Sequence, residues 1–354
     1  MSLLSETIKA IPPVDQTVYE NALDRLANQA RPAGSLGMLE EASARLAAIK
    51  KTLDVRLPKK YILTCAGDHG VVAEGVSLFP QEVTAQMVYN FTSGGASINV
   101  LARHAGAEVR VADFGVNHEF SPDLPIFHKK IAKGTKNFYK EPAMERDQAI
   151  FAIEAGIETV NDLCAAADVD LLGTGDMGIG NTSPSSAIIA AFSRISPEKL
   201  TGRGTGLDDR GLSRKTAVIE AALKKHVPDP NDPIDVLAKV GGFEIGGIAG
   251  IVIGAAARGI PVLSDGLIST AGTLIAAELS PTIRPYLFAA HQSMEIGHQY
   301  MLARIGIEPL LHLNMRLGEG TGAALAMEIL DAASRVLAEI KTFDEVNIEN
   351  AHTG

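Results

Sequence analysis

Glu319 stands between Gly318 and Gly320 in LLHLNMRLGEGTGAALAM, residues 310–327, where a short apolar run gives way to small apolar residues at helical spacing. Glycine lets backbone or ligand come close, and a carboxylate brought to that point is a proton acceptor. Two readings follow from the residues alone. Glu319 is either a general base where a buried strand hands over to a buried helix, or an acidic side chain favoured by about 0.3–1 kcal/mol near a helix N-terminus.

Residues 173–178, GTGDMG, match G-x-G-x-x-G between an apolar run and a helix-like stretch, the pattern of a dinucleotide-binding turn. That fingerprint also needs an acidic residue about 20 positions on, at a second strand tip. Residues 195–199, ISPEK, do not supply one, and Asp176 puts an anion where a pyrophosphate would approach. The turn is therefore expected to hold a single phosphate on the free N–H groups of a helix N-terminus, with Asn181 or Thr182 beside it. An NAD-dependent oxidoreductase using residues 173–178 is the second reading, and a nucleotide-sensing domain without chemistry the third. A further glycine cluster, GRGTGLDD at 202–209, leads to Arg214 and Lys215. Its aspartates lack the apolar strand that diphosphate-using phosphoribosyltransferases place before theirs. Lys215 is either a phosphate partner or part of a solvated helix face. Asp68, His69, His291 and His298 show no metal-ligand spacing such as H-E-x-x-H. The absence of G-x-x-x-x-G-K-[ST] and G-x-S-x-G excludes P-loop hydrolases and the common serine esterases.

These residues need a frame, and the hydrophobic pattern describes one. Residues 61–66 (YILTCA), 108–114 (EVRVADF), 169–173 (VDLLG), 260–264 (IPVLS) and 286–290 (YLFAA) are near-continuously apolar or β-branched, as in strands buried on both faces. With helical stretches such as 93–104 and 183–192 between them, they predict a parallel sheet with right-handed crossovers. Polar turns follow each run: GDHG at 67–70, GVN at 115–117, TGDMG at 174–178, DG at 265–266 and HQS at 291–293. Glu319 takes the corresponding place after residues 310–315. Open α/β sheets bind ligands at these carboxyl ends.

Leu39, Ala42, Leu46, Ile49 and Leu53 share one helical face, as do Leu325, Ile329, Ala332, Val336 and Ile340. The two ends of the chain are therefore expected to pack together as a small helical domain (1–56 and 321–354) beside a large α/β domain (57–320). Residues 31–37 and 227–233 should be loops, the tail 349–354 loose, and the four-residue spacing of Gly246, Gly250 and Gly254 points to close helix packing. A chain of 354 residues with 46% hydrophobic residues and 34 glycines suits such a fold. The net charge of −10 argues against nucleic acid or an anionic membrane as partner. The longest uncharged apolar run, residues 245–257, is too short to span a bilayer. Cys65 and Cys164 have no metal-type spacing and suit a reducing compartment, and no signal peptide is evident, so a cytoplasmic location is expected.

Taken together, RPAGSLGMLE at 31–40, CAGDHGVVAEGV at 65–76, PQEVTAQMV at 80–88, GTGDMGIGNTSPSSA at 173–187, GRGTGLDDRGLSRK at 202–215, NDPIDVLAKVGGFEIGGIAG at 231–250, VLSDGLISTA at 262–271 and MRLGEGTGAALAM at 315–327 carry a resemblance over nearly the whole chain. The sequence resembles the nicotinate-nucleotide–dimethylbenzimidazole phosphoribosyltransferases of cobalamin lower-ligand synthesis. The resemblance implies a homodimer whose subunits join a Rossmann-like parallel sheet, flanked by helices, to a small helical domain built from both chain ends. It implies transfer of phosphoribose from nicotinate mononucleotide to a benzimidazole nitrogen, with no cofactor and no magnesium because no diphosphate leaves. On matching positions Glu319 is the base. Gly178, Lys215 and Ser293 contact the phosphate, Gly204 and Thr205 lie by the nicotinate, and Phe79, Met87 and Leu317 line the slot for the aromatic base. Asp176 and Asn181 belong to the nucleotide side. Asp176 stands where the family usually has Glu, and Phe79 where some relatives have a small polar residue or Tyr.

Overall fold

Apolar runs become strands here because helices cover both faces of the sheet they form. The computed structural model describes residues 2–348, so the tail expected to be loose lies outside the described residues. The strands are β1 (Lys60–Gly67), β2 (Ala107–Gly115), β3 (Phe127–His128), β4 (Leu171–Met177), β5 (Val262–Ser264), β6 (Leu287–His291) and β7 (Pro309–Leu311). They form one parallel sheet in the order β3-β2-β1-β4-β5-β6-β7. The chain runs outward from β1 to β3, then returns to β1's other side with β4. Between β1 and β4 the order reverses, and a crevice opens at their carboxyl ends.

The N-terminal helices are α1 (Leu3–Ala10), α2 (Gln16–Ala27) and α3 (Met38–Lys50), followed by α4 (Val83–Ser93), α5 (Ser97–His104), α6 (Arg146–Ala166) and α7 (Thr182–Ser193). Then come α8 (Asp209–His226), α9 (Pro233–Val240), α10 (Phe243–Ala257), α11 (Leu267–Leu279), α12 (Ile296–Ile305), α13 (Thr321–Glu339) and α14 (Phe343–Val346). Helix α10 lies on β1 and β2 and packs on α6 and α11, while α13 lies on β4, β5 and β6 with α5 and α3. The spacing of Gly246, Gly250 and Gly254 does bring α10 close to α6: a Cβ on Gly250 would run into the Ile153 carbonyl. The chain ends meet through α2, α3 and α13, where Gln29 Nε2 donates to the Val336 carbonyl (2.7 Å) and Ser43 Oγ to the Ala333 carbonyl (2.6 Å). Helix α1 packs instead on α6 and α10. No helix among the described residues is long and apolar enough to cross a membrane.

Four expectations shift. The glycine string 173–178 is strand through Met177, paired with β1 up to Ala66, so only Gly178 belongs to a turn. The run at 310–315 is strand only to Leu311. Beyond it the chain follows the 292–294 loop, with Met294 N–H donating to the Met315 carbonyl (3.0 Å). Helix α5 begins at Ser97 rather than 93, because Gly94, at φ +81°, ends α4. On α13 the buried face is Ala323, Ala326, Met327, Leu330, Ala333 and Leu337. The stripe through Leu325, Ile329 and Val336 only flanks it at partial burial, because small residues are what let a helix lie tightly between sheet and α3.

Candidate active site

Glu319 sits at the switch point. Its N–H donates to the Asp176 carbonyl on β4 (3.2 Å), and its carbonyl accepts from Thr64 Oγ1 on β1 (2.9 Å). Gly318, Glu319 and Gly320 all have positive φ, at +85°, +65° and +98°. For glutamate that conformation costs about 1–3 kcal/mol. The loop is pinned from a third side by buried Asp265, which follows β5: its Oδ2 accepts from Gly320 N–H (3.1 Å) and its Oδ1 from Ala323 N–H (2.9 Å). Asp265 therefore caps α13 and holds the strained turn together.

Glu319 is 6% exposed, and its carboxylate accepts from Ile98 N–H (3.1 Å), in the first turn of α5. The helix N-terminus that faces it is thus α5, not the α13 that follows it in sequence. Burial pushes its pKa up and the Asp265 charge adds to this, against the lowering by the Ile98 N–H. The competition between a helix end and a desolvating slot is won by the slot.

Around Glu319 opens a cavity of about 340 Å³, lined among others by Phe79, Met87, Asp176, Gly178, Asn181, Gly204, Thr205, Ser293 and Leu317. Phe79 and Leu317 are about half exposed at its rim. Exposed large apolar side chains facing a cavity suit a flat apolar ligand. The polar side is the first turn of α7, with Gly178, Asn181 and Thr182, closed over by the 202–206 loop. That loop is fastened three ways: Gly204 N–H donates to Glu295 Oε1 (3.0 Å), Arg316 Nη1 donates to the Gly204 carbonyl (3.0 Å), and Leu78 N–H donates to Thr205 Oγ1 (3.3 Å).

Lys215 does not line the cavity. It is fully buried behind it, donating to Thr182 Oγ1 (2.7 Å) and the Gly202 carbonyl (3.1 Å), so the solvated-face reading falls. Burial pushes its pKa down to about 8, with Glu295 opposing. Arg316, Glu295 and Asp265 were not singled out as site residues, and His291 was weighed only as a metal ligand; Arg316, Glu295 and His291 line the cavity. Arg316 had a signal, since it immediately precedes Leu317. Asp265 had a weaker one as a polar residue after a strand. His69 turns away to pair with Glu244 Oε1 (2.7 Å) in the interior. Among the described residues no group of three His, Cys, Asp or Glu could hold a metal ion.

Asp176 is buried, with Oδ2 accepting from Asn181 Nδ2 (3.2 Å) and Oδ1 without a partner. Burial first, then the charges of Asp265, Glu244 and Glu319, push its pKa well above the ordinary aspartate value, while Asn181 opposes. Between the ordinary and the raised value the folded chain keeps a proton that the unfolded chain has released, so stability falls as pH rises through that window. Asp176→Asn is expected to melt higher than the parent at neutral pH, with the gap closing below pH ~4, near the unperturbed aspartate pKa. Parallel melting curves for the two proteins across that range would remove the claim.

The phosphoribosyltransferase family model matches residues 11–348. The chain is 57% identical to the nicotinate-nucleotide–dimethylbenzimidazole phosphoribosyltransferase of Geobacter sp. (strain M21), over 98% of this chain and 99% of that protein. It is 52% identical to the protein of the same name from Roseiflexus sp. (strain RS-1), over 98% of each. The crystal structure of CobT from Thermus thermophilus superposes with a TM-score of 0.91 at 42% identity, covering 95% of this chain and 100% of that one.

Proposed function

The chain belongs to the nicotinate-nucleotide–dimethylbenzimidazole phosphoribosyltransferase family, and from that membership we propose how its cavity works. The enzyme moves the phosphoribosyl group of nicotinate mononucleotide onto 5,6-dimethylbenzimidazole or a related base, for the lower ligand of cobalamin. The products are nicotinate and the α-riboside phosphate. The base enters between Phe79, Met87 and Leu317. One ring nitrogen attacks the ribose C1′ while the bond from C1′ to the nicotinate ring breaks, its electron pair passing to the pyridinium nitrogen, which leaves neutral. Glu319 takes the N–H proton from the other nitrogen of the incoming base as the new bond forms. Gly178 and Ser293 face the phosphate, and Lys215 supplies positive charge through Thr182 from behind. Asp176 and Asn181 flank the nucleotide, and Gly204 and Thr205 the nicotinate. Alignment of nucleophile and C1′ supplies the rest of the acceleration.

One observation carries this reading: Glu319 is held in a strained left-handed turn, buried, on the wall of a cavity with apolar rims. The dinucleotide reading of 173–178 has lost its turn, since five of those six residues are strand. The division into a small domain (1–56 with 321–354) and a large one (57–320) has the packing of α2 and α3 on α13 in its favour, while α1 packs on α6 and α10 and α13 also covers β4, β5 and β6. A homodimer and a reducing, cytoplasmic setting complete the proposal. The deciding assay mixes protein, nicotinate mononucleotide and dimethylbenzimidazole without metal. Stoichiometric release of nicotinate is expected, and no release at high enzyme concentration would sink the assignment.

A further inference from the structure

His298 takes no part in the chemistry above, is fully buried, and is the third residue of α12. Its Nδ1 lies 2.9 Å from the backbone nitrogen of Ser293, and its Nε2 lies 2.9 Å from Thr270 Oγ1. A backbone N–H can only donate, so Nδ1 must be the accepting, unprotonated nitrogen. Nε2 then carries the hydrogen and donates to Thr270. Thr270 Oγ1 is 3.0 Å from Ser264 Oγ, and Ser264 Oγ is 3.0 Å from Thr273 Oγ1, which donates to the Ser269 carbonyl (2.9 Å). The whole chain of hydrogen bonds therefore has one direction, running from Ser293 N–H through His298, Thr270, Ser264 and Thr273 to a main-chain carbonyl.

Its two ends matter to different halves of the site. At one end the Ser293 hydroxyl oxygen accepts from Glu295 N–H (3.2 Å), which leaves its hydrogen to be donated into the cavity. Towards the other, the chain passes through Ser264, the last residue of β5, directly before the Asp265 that pins Gly320. We propose that His298 is a positioning residue: by accepting the Ser293 N–H it fixes the 291–295 turn so that the Ser293 hydroxyl and the Glu295–Gly204 contact meet the phosphate side of the nucleotide. Burial, with the nearby His291 adding to it, pushes the imidazole down to about 3, which keeps it in the neutral form that the acceptor role requires. The assignment rests on the reading that Ser293 faces phosphate.

The test uses His298→Asn and His298→Phe. The Asn side-chain oxygen reproduces the Nδ1 acceptor, whereas Phe keeps the ring and loses it. For Phe, KM for nicotinate mononucleotide is expected to rise roughly tenfold, the worth of one hydrogen bond to a charged ligand, with KM for dimethylbenzimidazole unchanged. The Asn variant should recover most of that loss. Calorimetric affinity for nicotinate mononucleotide should follow the same order without needing turnover. A parent protein that binds the nucleotide but releases no nicotinate would thus overturn the proposed reaction and still test His298. Equal behaviour of Asn and Phe, or a rise shared by both substrates, would refute the positioning role. If the Phe variant does not fold, His298→Leu, which likewise offers no acceptor to the Ser293 N–H, takes its place. The same selective rise is then expected, and its absence is equally decisive.

Discussion

Glu319→Gln is expected to lower the transfer rate by roughly 10²–10⁴-fold, the span of general-base assistance, while nicotinate mononucleotide binds with nearly its full affinity. The substitution keeps the length of the side chain, and its amide oxygen can still accept the Ile98 N–H now held at 3.1 Å. The turn is fastened through main-chain groups, by Asp176, Thr64 and Asp265, so nothing that shapes it is removed. Only the ability to take a proton is lost. Single-turnover rates and calorimetric binding separate the two quantities. Near-normal turnover would make Glu319 no more than an acidic side chain at the start of α5.

The same variant should erase a limb of the pH profile. Burial raises the Glu319 pKa above its ordinary value, and a base works only when deprotonated. The parent's rate therefore falls as pH drops through that raised value, above the usual carboxylate range, whereas the Gln variant has no such limb. Burial dominates because the α5 N-terminus offers one N–H to a group that has lost most of its water, with the carboxylate of Asp265 close by.

What the sequence made legible was whatever a local pattern can carry. Strands β1 and β2 are found close to their expected ends because a strand buried on both faces needs an unbroken apolar run. Polar turns at strand ends were legible for the same reason. Lys215 was ambiguous because α8 is rich in charge, and the groups that its ammonium meets, the Gly202 carbonyl and the Thr182 hydroxyl, come from other elements. Asp265 and His298 act on main-chain N–H groups, and a main-chain donor leaves no mark in the sequence. The face of α13 was misjudged because the alanines at 323, 326 and 333, which share the buried face with Met327, Leu330 and Leu337, carry little weight in a hydrophobic stripe.

The glycines of 173–178 show the same limit, and they yield the other large effect. Gly175→Ala is expected to cost roughly 10²-fold in turnover, the penalty for displacing a catalytic group by about 1 Å, although it touches no substrate. A Cβ at 175 would collide with the Glu319 carbonyl and the Gly320 nitrogen, which are main chain and cannot rotate aside. Strand β4 resists moving, since Gly175 is paired with β1 and Gly173, two residues earlier, is paired with β5 as well. Gly175 and Thr64 are register partners, and Thr64 is the residue that holds the Glu319 carbonyl. The 318–320 turn must therefore rise off the sheet, loosening its bonds to Thr64, Asp176 and Asp265 and carrying the carboxylate out of line. The accompanying loss of stability should be about 1–3 kcal/mol, as for other overpacked positions. Gly173→Ala, two residues earlier on the same face, meets the Ala323 and Met327 side chains at 3.1 Å instead of main chain. It should therefore lower the melting temperature while leaving turnover within about tenfold of the parent. Comparing turnover and melting temperature for the two variants isolates the positioning effect. Equal turnover in both would mean that β4 does not set where Glu319 stands.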